Sequence, residues 1–149
     1  MRNTLILIAA GGSVLLLAGA FVFQFFGYLP CEMCLWQRWP HAAAALIGVL
    51  ALTVPHRIWP WLGAVAAAIT SGIGFFHAGV EKGWWPGPTS CTGGGGGGLA
   101  GDLLSTEGPR LIMCDQVSWA LFTISMAGWN ALLSAALVLI WIAAARART

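Results

Sequence analysis

Charged residues are absent from four long stretches of the chain. No Asp, Glu, Lys or Arg occurs at positions 3–31, 39–56, 58–80 and 116–145. A helix of about 20 residues crosses the hydrocarbon core of a bilayer, so each stretch predicts one membrane crossing. The pattern therefore predicts an all-α membrane protein in one integral domain, residues 1–149, folded as a four-transmembrane-helix bundle.

The apolar stretches also set approximate helix boundaries. The second helix has to begin near Leu35 to be long enough, which places Arg38 in its first turns. The first stretch has features of a cleaved signal peptide, but its apolar run continues to Phe26, which favours a retained helix. The predicted helices are 5–26, 35–54, 58–78 and 117–145, joined on one side of the membrane by the loops 27–34 and 79–116.

Composition excludes several other classes of protein. The chain is 58% hydrophobic and only 8% charged, whereas roughly a quarter of the residues are charged in a soluble domain. The net charge of +2 is too small to attract nucleic acid, so no nucleic-acid partner is expected. The chain is therefore neither an ordinary soluble globule nor a disordered segment.

The basic residues predict the orientation of the bundle. Lys and Arg concentrate on the cytoplasmic side of membrane proteins, and alternating helices place four of them on one side and three on the other. Both termini are therefore expected in the cytoplasm, with both loops outside and Trp141 at the inner interface. The first group is Arg2, Arg57, Arg146 and Arg148, and the second is Arg38, Lys82 and Arg110.

All four cysteines lie in the two outer loops. Cys31 and Cys34 form a CxxC, whereas Cys91 and Cys114 are 23 positions apart. A zinc site is not expected, because structural sites usually present two short-spaced pairs, and Leu35 after Cys34 excludes the CxxCH of haem attachment. A structural disulfide remains an alternative for the second loop, but a ring as short as CxxC restrains little chain and is a frequent redox arrangement.

Two polar residues follow the CxxC. Arg38 is four positions after Cys34, close to the same helix face. A cation and a helix N terminus both favour a thiolate, and a guanidinium also binds the oxygen of an acceptor. The alternative is an arginine that only anchors the helix at the membrane surface. Gln37 offers one further hydrogen bond.

The segment 31–38, Cys-Glu-Met-Cys-Leu-Trp-Gln-Arg, resembles the CxxCxx(E/Q)R signature of the DsbB family of disulfide bond formation proteins. Four helices, a CxxC in the first outer loop and a cysteine pair in the second extend the resemblance over the whole chain. It implies a protein-dithiol:quinone oxidoreductase of the bacterial inner membrane. Such a protein reoxidises a periplasmic DsbA-like thioredoxin-fold oxidase and passes the electrons to ubiquinone or menaquinone.

The resemblance also implies roles for individual residues. Cys91 corresponds to the cysteine attacked by the reduced partner, and Cys114 to its disulfide mate. Cys31 and Cys34 correspond to the pair that reoxidises them, with Cys34 facing the quinone.

Three further side chains are expected at the quinone. Arg38 corresponds to the quinone-interacting arginine, Gln37 accompanies it, and His77 joins them by a looser analogy. Asn130 is expected to form a hydrogen bond across the bundle, and Gly93–Gly98 to act as a flexible tether.

Two other functions fit the same features. One is a vitamin K epoxide reductase-like enzyme, although the CxxC of that family lies late in the chain. The other is a non-enzymatic four-span assembly protein whose disulfides only brace its loops.

Overall fold

The structure, a computed structural model, describes residues 1–92 and 113–147. Within these ranges the chain forms four long helices and one short antiparallel hairpin. They are α1 (Arg2–Phe25), α2 (Glu32–Thr53), α3 (Ile58–Glu81), β1 (Ala120–Leu121), β2 (Ile124–Ser125) and α4 (Met126–Arg146). The predicted tether Gly93–Gly98 lies outside the described residues.

The four helices form a closed ring in which each packs against two neighbours. α1 and α3 lie across the ring from each other, and each contacts both α2 and α4. The short connections 26–31 and 54–57 make the first three helices antiparallel to their neighbours. The N terminus of α2, the C terminus of α3 and the N terminus of α4 therefore meet at one end of the bundle, and the expected all-α bundle is confirmed.

Small residues allow the helices to approach closely in the core. Trp141 is fully buried there, although the sequence predicted it at the inner interface, and this prediction is wrong. The indole fits because Gly63 in α3 has no side chain: a Cβ at this position would lie 2.6 Å from the Trp141 ring. The remaining core residues are Ile6, Ala9, Ala10, Ala51, Ala64, Ala67, Leu137 and Ala144.

Large apolar side chains cover the outside of the ring. Leu15, Val65, Phe75 and Leu139 are all exposed, which is favourable only if an apolar solvent surrounds the helices. Within the described residues α1, α3 and α4 are long and apolar enough to cross a membrane. α2 is also long, with 22 residues, but polar side chains near its N terminus make it less apolar.

The helix α2 begins three residues earlier than the sequence predicted. Cys31 is its N-cap, in an extended conformation, and the Cys31 sulfur accepts a hydrogen bond from the backbone N–H of Cys34 at 3.1 Å. This cap satisfies an N–H group that has no partner within the helix. The CxxC therefore forms the first turn of α2 and does not belong to a loop.

α3 begins at Ile58 as predicted, but several other boundaries differ from those predicted. α4 begins at Met126 and not at 117, because Ser125 caps it by accepting a hydrogen bond from the N–H of Gly128 at 3.1 Å. The residues before it form the hairpin, whose turn residues Phe122 and Thr123 have φ of 51° and 65°. α3 continues past 78 to Glu81, and α1 begins at Arg2.

Candidate functional site

The two cysteines of the CxxC are free thiols in close contact. Their sulfurs are 2.6 Å apart, whereas a covalent disulfide is about 2.05 Å long. Cys31 is buried and Cys34 is half-buried. A shift of less than about 1 Å therefore separates this dithiol from a disulfide.

Cys91 and Cys114 form the second pair, as a disulfide with a Cα–Cα distance of 5.3 Å. Both are buried, with exposed fractions of 5% and 0%. They pack in one cluster with Cys31, Met33 and Val80, and Cys34 and Trp85 cover the edge of this cluster. The family resemblance implied that Cys114 is the disulfide mate of Cys91, and the structure joins these two cysteines. Both cysteine pairs lie at the same end of the bundle.

The electrostatic environment distinguishes the two thiols of the CxxC. The hydrogen bond between the two sulfurs, and after it burial, raises the pKa of Cys31 above its ordinary value. This favours the thiol form of Cys31. Cys34 lies in the first turn of α2 and one turn before Arg38, and a helix N terminus and a cation both favour a thiolate.

His77 connects the CxxC to Gln37. Its Nε2 lies 3.5 Å from the Cys31 sulfur, and its Nδ1 lies 3.1 Å from Nε2 of Gln37. The same Gln37 amide nitrogen donates to the backbone carbonyl of Met33 at 3.1 Å, so its orientation is fixed. Nδ1 of His77 therefore accepts a hydrogen bond, and Nε2 carries the proton that points at Cys31.

Asn130 extends this network across the bundle. Its Nδ2 donates to Oε1 of Gln37 at 2.6 Å and to the Thr70 hydroxyl at 3.2 Å. Its Oδ1 accepts from Nε2 of His41 at 2.8 Å. The side chain links α2, α3 and α4, as expected for a polar residue in a membrane helix.

Arg38 is held by α1. Its guanidinium donates to Oε1 of Gln24 at 2.8 Å and lies 4.7 Å from the centre of the Phe21 ring. Its Nε is buried and has no partner within the described residues. The guanidinium thus has a fixed position and one free donor. Gln24 is a polar residue inside the apolar stretch of α1, which was a signal that the sequence analysis did not use.

Glu81 is a buried acid that the sequence analysis also missed. Its Oε1 lies 3.8 Å from Nε2 of His77, and its side chain is 6% exposed. Its Oε2 has no hydrogen-bond partner within 1–92 and 113–147. The spacing of four residues between His77 and Glu81 places both on one helix face. This spacing is the feature of the sequence that could have identified Glu81 as a site residue.

A cavity of about 370 Å³ opens between α1, α2 and α4 beside the CxxC. Most of its lining is apolar, as in typical sites for small organic molecules. Five of the predicted site residues line it, namely Cys31, Cys34, Gln37, Arg38 and His77. The buried Cys91–Cys114 disulfide does not line the cavity but packs in one cluster with Cys31. Among the apolar lining residues are Leu16, Ala20, Phe23, Leu29, Trp119, Met126 and Leu133.

Comparisons with known proteins agree with the resemblance seen in the sequence. The family described as Disulfide bond formation protein DsbB matches residues 2–144. A Disulfide bond formation protein B from Verminephrobacter eiseniae is 32% identical over 151 residues, covering 95% of this chain and 84% of the relative. One from an Acidovorax species is 27% identical over 136 residues, covering 87% and 78%. No solved structure gives a significant match.

Proposed function

The chain belongs to the DsbB family of disulfide bond formation proteins, and on this basis we propose that it oxidises a DsbA-like partner and reduces a membrane quinone. The family is one of membrane proteins that form disulfides. The partner is a periplasmic thioredoxin-fold oxidase, and the acceptor is ubiquinone or menaquinone dissolved in the bacterial inner membrane.

The proposed topology follows from the packing of the helices. α2 lies between α1 and α3, so it crosses the bilayer with them despite its polar N-terminal turns. All four cysteines then lie on the outer side, with both termini in the cytoplasm. Disulfides persist in that oxidising compartment.

The observation that carries the proposal is the position of the CxxC between a disulfide and an apolar cavity. Cys31 packs against Cys91 and Cys114, and both Cys31 and Cys34 line the cavity. When the second pair is reduced to thiols, its two electrons can therefore reach the cavity by thiol–disulfide exchange with the CxxC.

The first step is exchange between the partner and the second pair. A thiolate of the reduced partner attacks the Cys91 sulfur, and Cys114 leaves as a thiolate. The second partner thiol then resolves the mixed disulfide, so the partner becomes a disulfide and Cys91 and Cys114 become thiols. Because Cys91 is 5% exposed, the side chains that cover it, including Trp85, have to move for the partner to reach it.

The second step passes the two electrons inward. A thiolate of the second pair attacks the Cys31–Cys34 disulfide, which restores Cys91–Cys114 and leaves the CxxC as a dithiol. This arrangement, with Cys91 bonded to Cys114 and the two CxxC sulfurs unbonded, is also that of the described structure, which supports the proposal. Cys31 then holds a proton beside Nε2 of His77 at 3.5 Å, and Cys34 holds the negative charge at the cavity.

The residues that line the cavity fit a quinone. The buried Nε of Arg38 is a free donor for a ring oxygen, and the apolar side chains of α1 and α4 suit the ring and tail. A bound quinone supplies an acceptor for two electrons and two protons. Nε2 of His77, oriented by Gln37, points its proton at the Cys31 sulfur and so stabilises the negative charge that remains there when the Cys31 proton leaves.

The test is quinone reduction by the purified protein with a reduced thioredoxin-fold partner. The proposal predicts one quinone reduced per partner oxidised, no quinone reduction by Cys34→Ser, and no partner oxidation by Cys91→Ser. If all four cysteines stay oxidised whatever thiol partner is supplied, the disulfides only brace the outer end and the proposal is wrong.

A further inference from the structure

Glu81 is the acidic side chain that lines the cavity, among the residues that the structure describes. It is the last residue of α3, at the same end of the bundle as the CxxC, and its side chain is 6% exposed. The exchange between sulfurs does not use this carboxyl group. We propose that Glu81 is a neutral carboxylic acid that donates one of the two protons consumed by quinone reduction, an inference that rests on the proposed function.

The proton balance of the last step requires a donor besides the CxxC. Reduction of a quinone to a quinol consumes two electrons and two protons. Cys34 reacts as a thiolate, favoured by the helix N terminus and by Arg38. Formation of the Cys31–Cys34 disulfide therefore releases two electrons but only one proton, that of Cys31. The second proton has to come from another group at the cavity, and a carboxylic acid is a common general acid in enzymes.

The contacts of Glu81 favour the neutral acid over the carboxylate. Oε1 lies 3.8 Å from Nε2 of His77, which is too long for a hydrogen bond, and the proton on Nε2 points at Cys31. Oε2 has no hydrogen-bond partner within 1–92 and 113–147. Because a buried carboxylate with so few partners is unfavourable, the group holds its proton.

The cations around Glu81 have other partners. Arg38 lines the same cavity from α2, but its guanidinium is held by α1. Lys82 is the next residue, but its ammonium lies 5.4 Å from the centre of the Trp84 ring. Ser125, from the hairpin, offers the carboxyl group only a neutral hydroxyl. A carboxylate at this position would also repel the thiolate of the CxxC, so the neutral form is the one that fits the reduced site.

Glu81 can regain its proton from the outer side of the membrane. α3 ends at Glu81, and the next two residues, Lys82 and Gly83, are exposed. The complete step converts a Cys31 thiol, a Cys34 thiolate and a Glu81 acid into a disulfide and a carboxylate, while the quinone becomes a quinol. The carboxylate then takes up one proton from water at the outer end of the bundle.

The first measurement is infrared spectroscopy of the reduced chain at neutral pH, without quinone or partner. The C=O stretch of a protonated carboxyl group is well separated from the bands of a carboxylate. We expect this stretch in the original chain and its loss in Glu81→Gln. The matched control is Glu32→Gln, which changes an acid inside the CxxC sequence that does not line the cavity, and this variant should keep the band. A missing band in the original chain, or a band that persists in Glu81→Gln, would overturn the proposal.

The second measurement is a single turnover of quinone reduction that starts from the reduced chain. We expect Glu81→Gln to slow this turnover about a hundredfold, as for the loss of a general acid, and Glu32→Gln to keep the original rate. A small weak acid such as acetic acid should restore part of the rate of Glu81→Gln, because it supplies the missing proton. A loss of packing alone would not respond to the added acid. Equal rates for the two variants, or no response to the acid, would overturn the proposal.

Glu81→Asp decides the question if the Gln variant does not fold. It keeps an acid but moves the carboxyl group, so we expect the infrared band to shift and the rate to lie between those of the other chains. A band identical to that of the original chain would show that another group carries the proton. This inference also fails separately from the proposed function: absence of quinone reduction by the original chain contradicts the relay, whereas equal rates for Glu81→Gln and Glu32→Gln contradict only the role of Glu81.

Discussion

The side-chain amide of Gln37 lies 3.1 Å from Nδ1 of His77, and this contact determines that the protonated Nε2 faces Cys31. Gln37→Leu removes it and also leaves Asn130 without its acceptor. Lost or unsatisfied buried hydrogen bonds cost about 1–3 kcal/mol, so we expect quinone reduction to fall roughly tenfold to a hundredfold. Stopped-flow measurement of quinone absorbance checks this rate.

The control for this prediction is Gln37→Glu. A glutamate keeps an acceptor for Asn130 and matches the alternative residue of the CxxCxx(E/Q)R signature, so we expect a rate within about threefold of the original. If the Leu variant is as fast as the Glu variant, His77 does not need this orientation.

Arg38 is expected to act on the acceptor and not on the partner. Arg38→Met removes the buried Nε donor and the hydrogen bond to Gln24. We expect the KM for quinone to rise at least about tenfold, while exchange between the reduced partner and Cys91–Cys114 keeps its rate. Arg57→Met, in the exposed connection at the opposite end of the bundle, is the matched control. Equal effects of both variants would show that Arg38 only anchors the helix.

The two thiols of the CxxC should differ in their reactivity with alkylating agents. Hydrogen bonding to Cys34 and burial raise the pKa of Cys31 above the ordinary value of 9.0, so Cys31 has less thiolate than an ordinary cysteine at any pH below that raised value. At pH 8 we expect initial alkylation of Cys34 at least about tenfold faster than that of Cys31. Labelling of Cys31 should still be slow at pH 9.

Mass spectrometry after brief, substoichiometric labelling measures this difference. Brief labelling is necessary because alkylation of Cys34 removes the hydrogen bond that raises the pKa of Cys31. The unfolded chain, in which both thiols are equally exposed, is the control and should be labelled equally at both positions. Faster labelling of Cys31 in the folded chain would reverse the assignment of the thiolate.

Gly63 should be essential for packing around Trp141. Gly63→Ala places a Cβ 2.6 Å from the buried indole, and overpacking of this kind costs about 1–3 kcal/mol. Gly72→Ala in the same helix is the control, because nothing lies within 4 Å of its Cβ. Thermal unfolding in detergent should show a lower midpoint for the Gly63 variant alone. Equal unfolding midpoints for the two variants would mean that the helices can move apart around the added methyl group without loss of stability.

The sequence predicted the bundle because a run of about 20 apolar residues has few alternatives to a membrane helix. It did not predict the hairpin before α4, because the apolar residues 117–125 continue the hydropathy of that helix. Their separate structure follows from the turn at Phe122–Thr123 and from the Ser125 cap. Trp141 was misplaced because a tryptophan near a helix end is as consistent with an interface as with a core.

The sequence predicted only part of the candidate site. The CxxC and Arg38 are close in sequence, so their spacing and the family signature identified them. Glu81 and Gln24 reach the site through packing between helices. Their local signals, a spacing of four from His77 and a polar residue in an apolar stretch, are too general to identify a site on their own. Gln37 and His77 were named from the sequence, but the hydrogen bond between them is visible only in the fold.

The proposed relay requires that electrons pass from Cys91–Cys114 to Cys31–Cys34. The most direct measurement starts from the fully oxidised chain, adds one equivalent of reduced partner without quinone, and alkylates after rapid acid quenching. We expect the label to appear first on Cys91 or Cys114 and then to accumulate on Cys34 and Cys31 while the Cys91–Cys114 disulfide re-forms. Label that stays on Cys91 and Cys114, with an intact Cys31–Cys34 disulfide, would contradict the account.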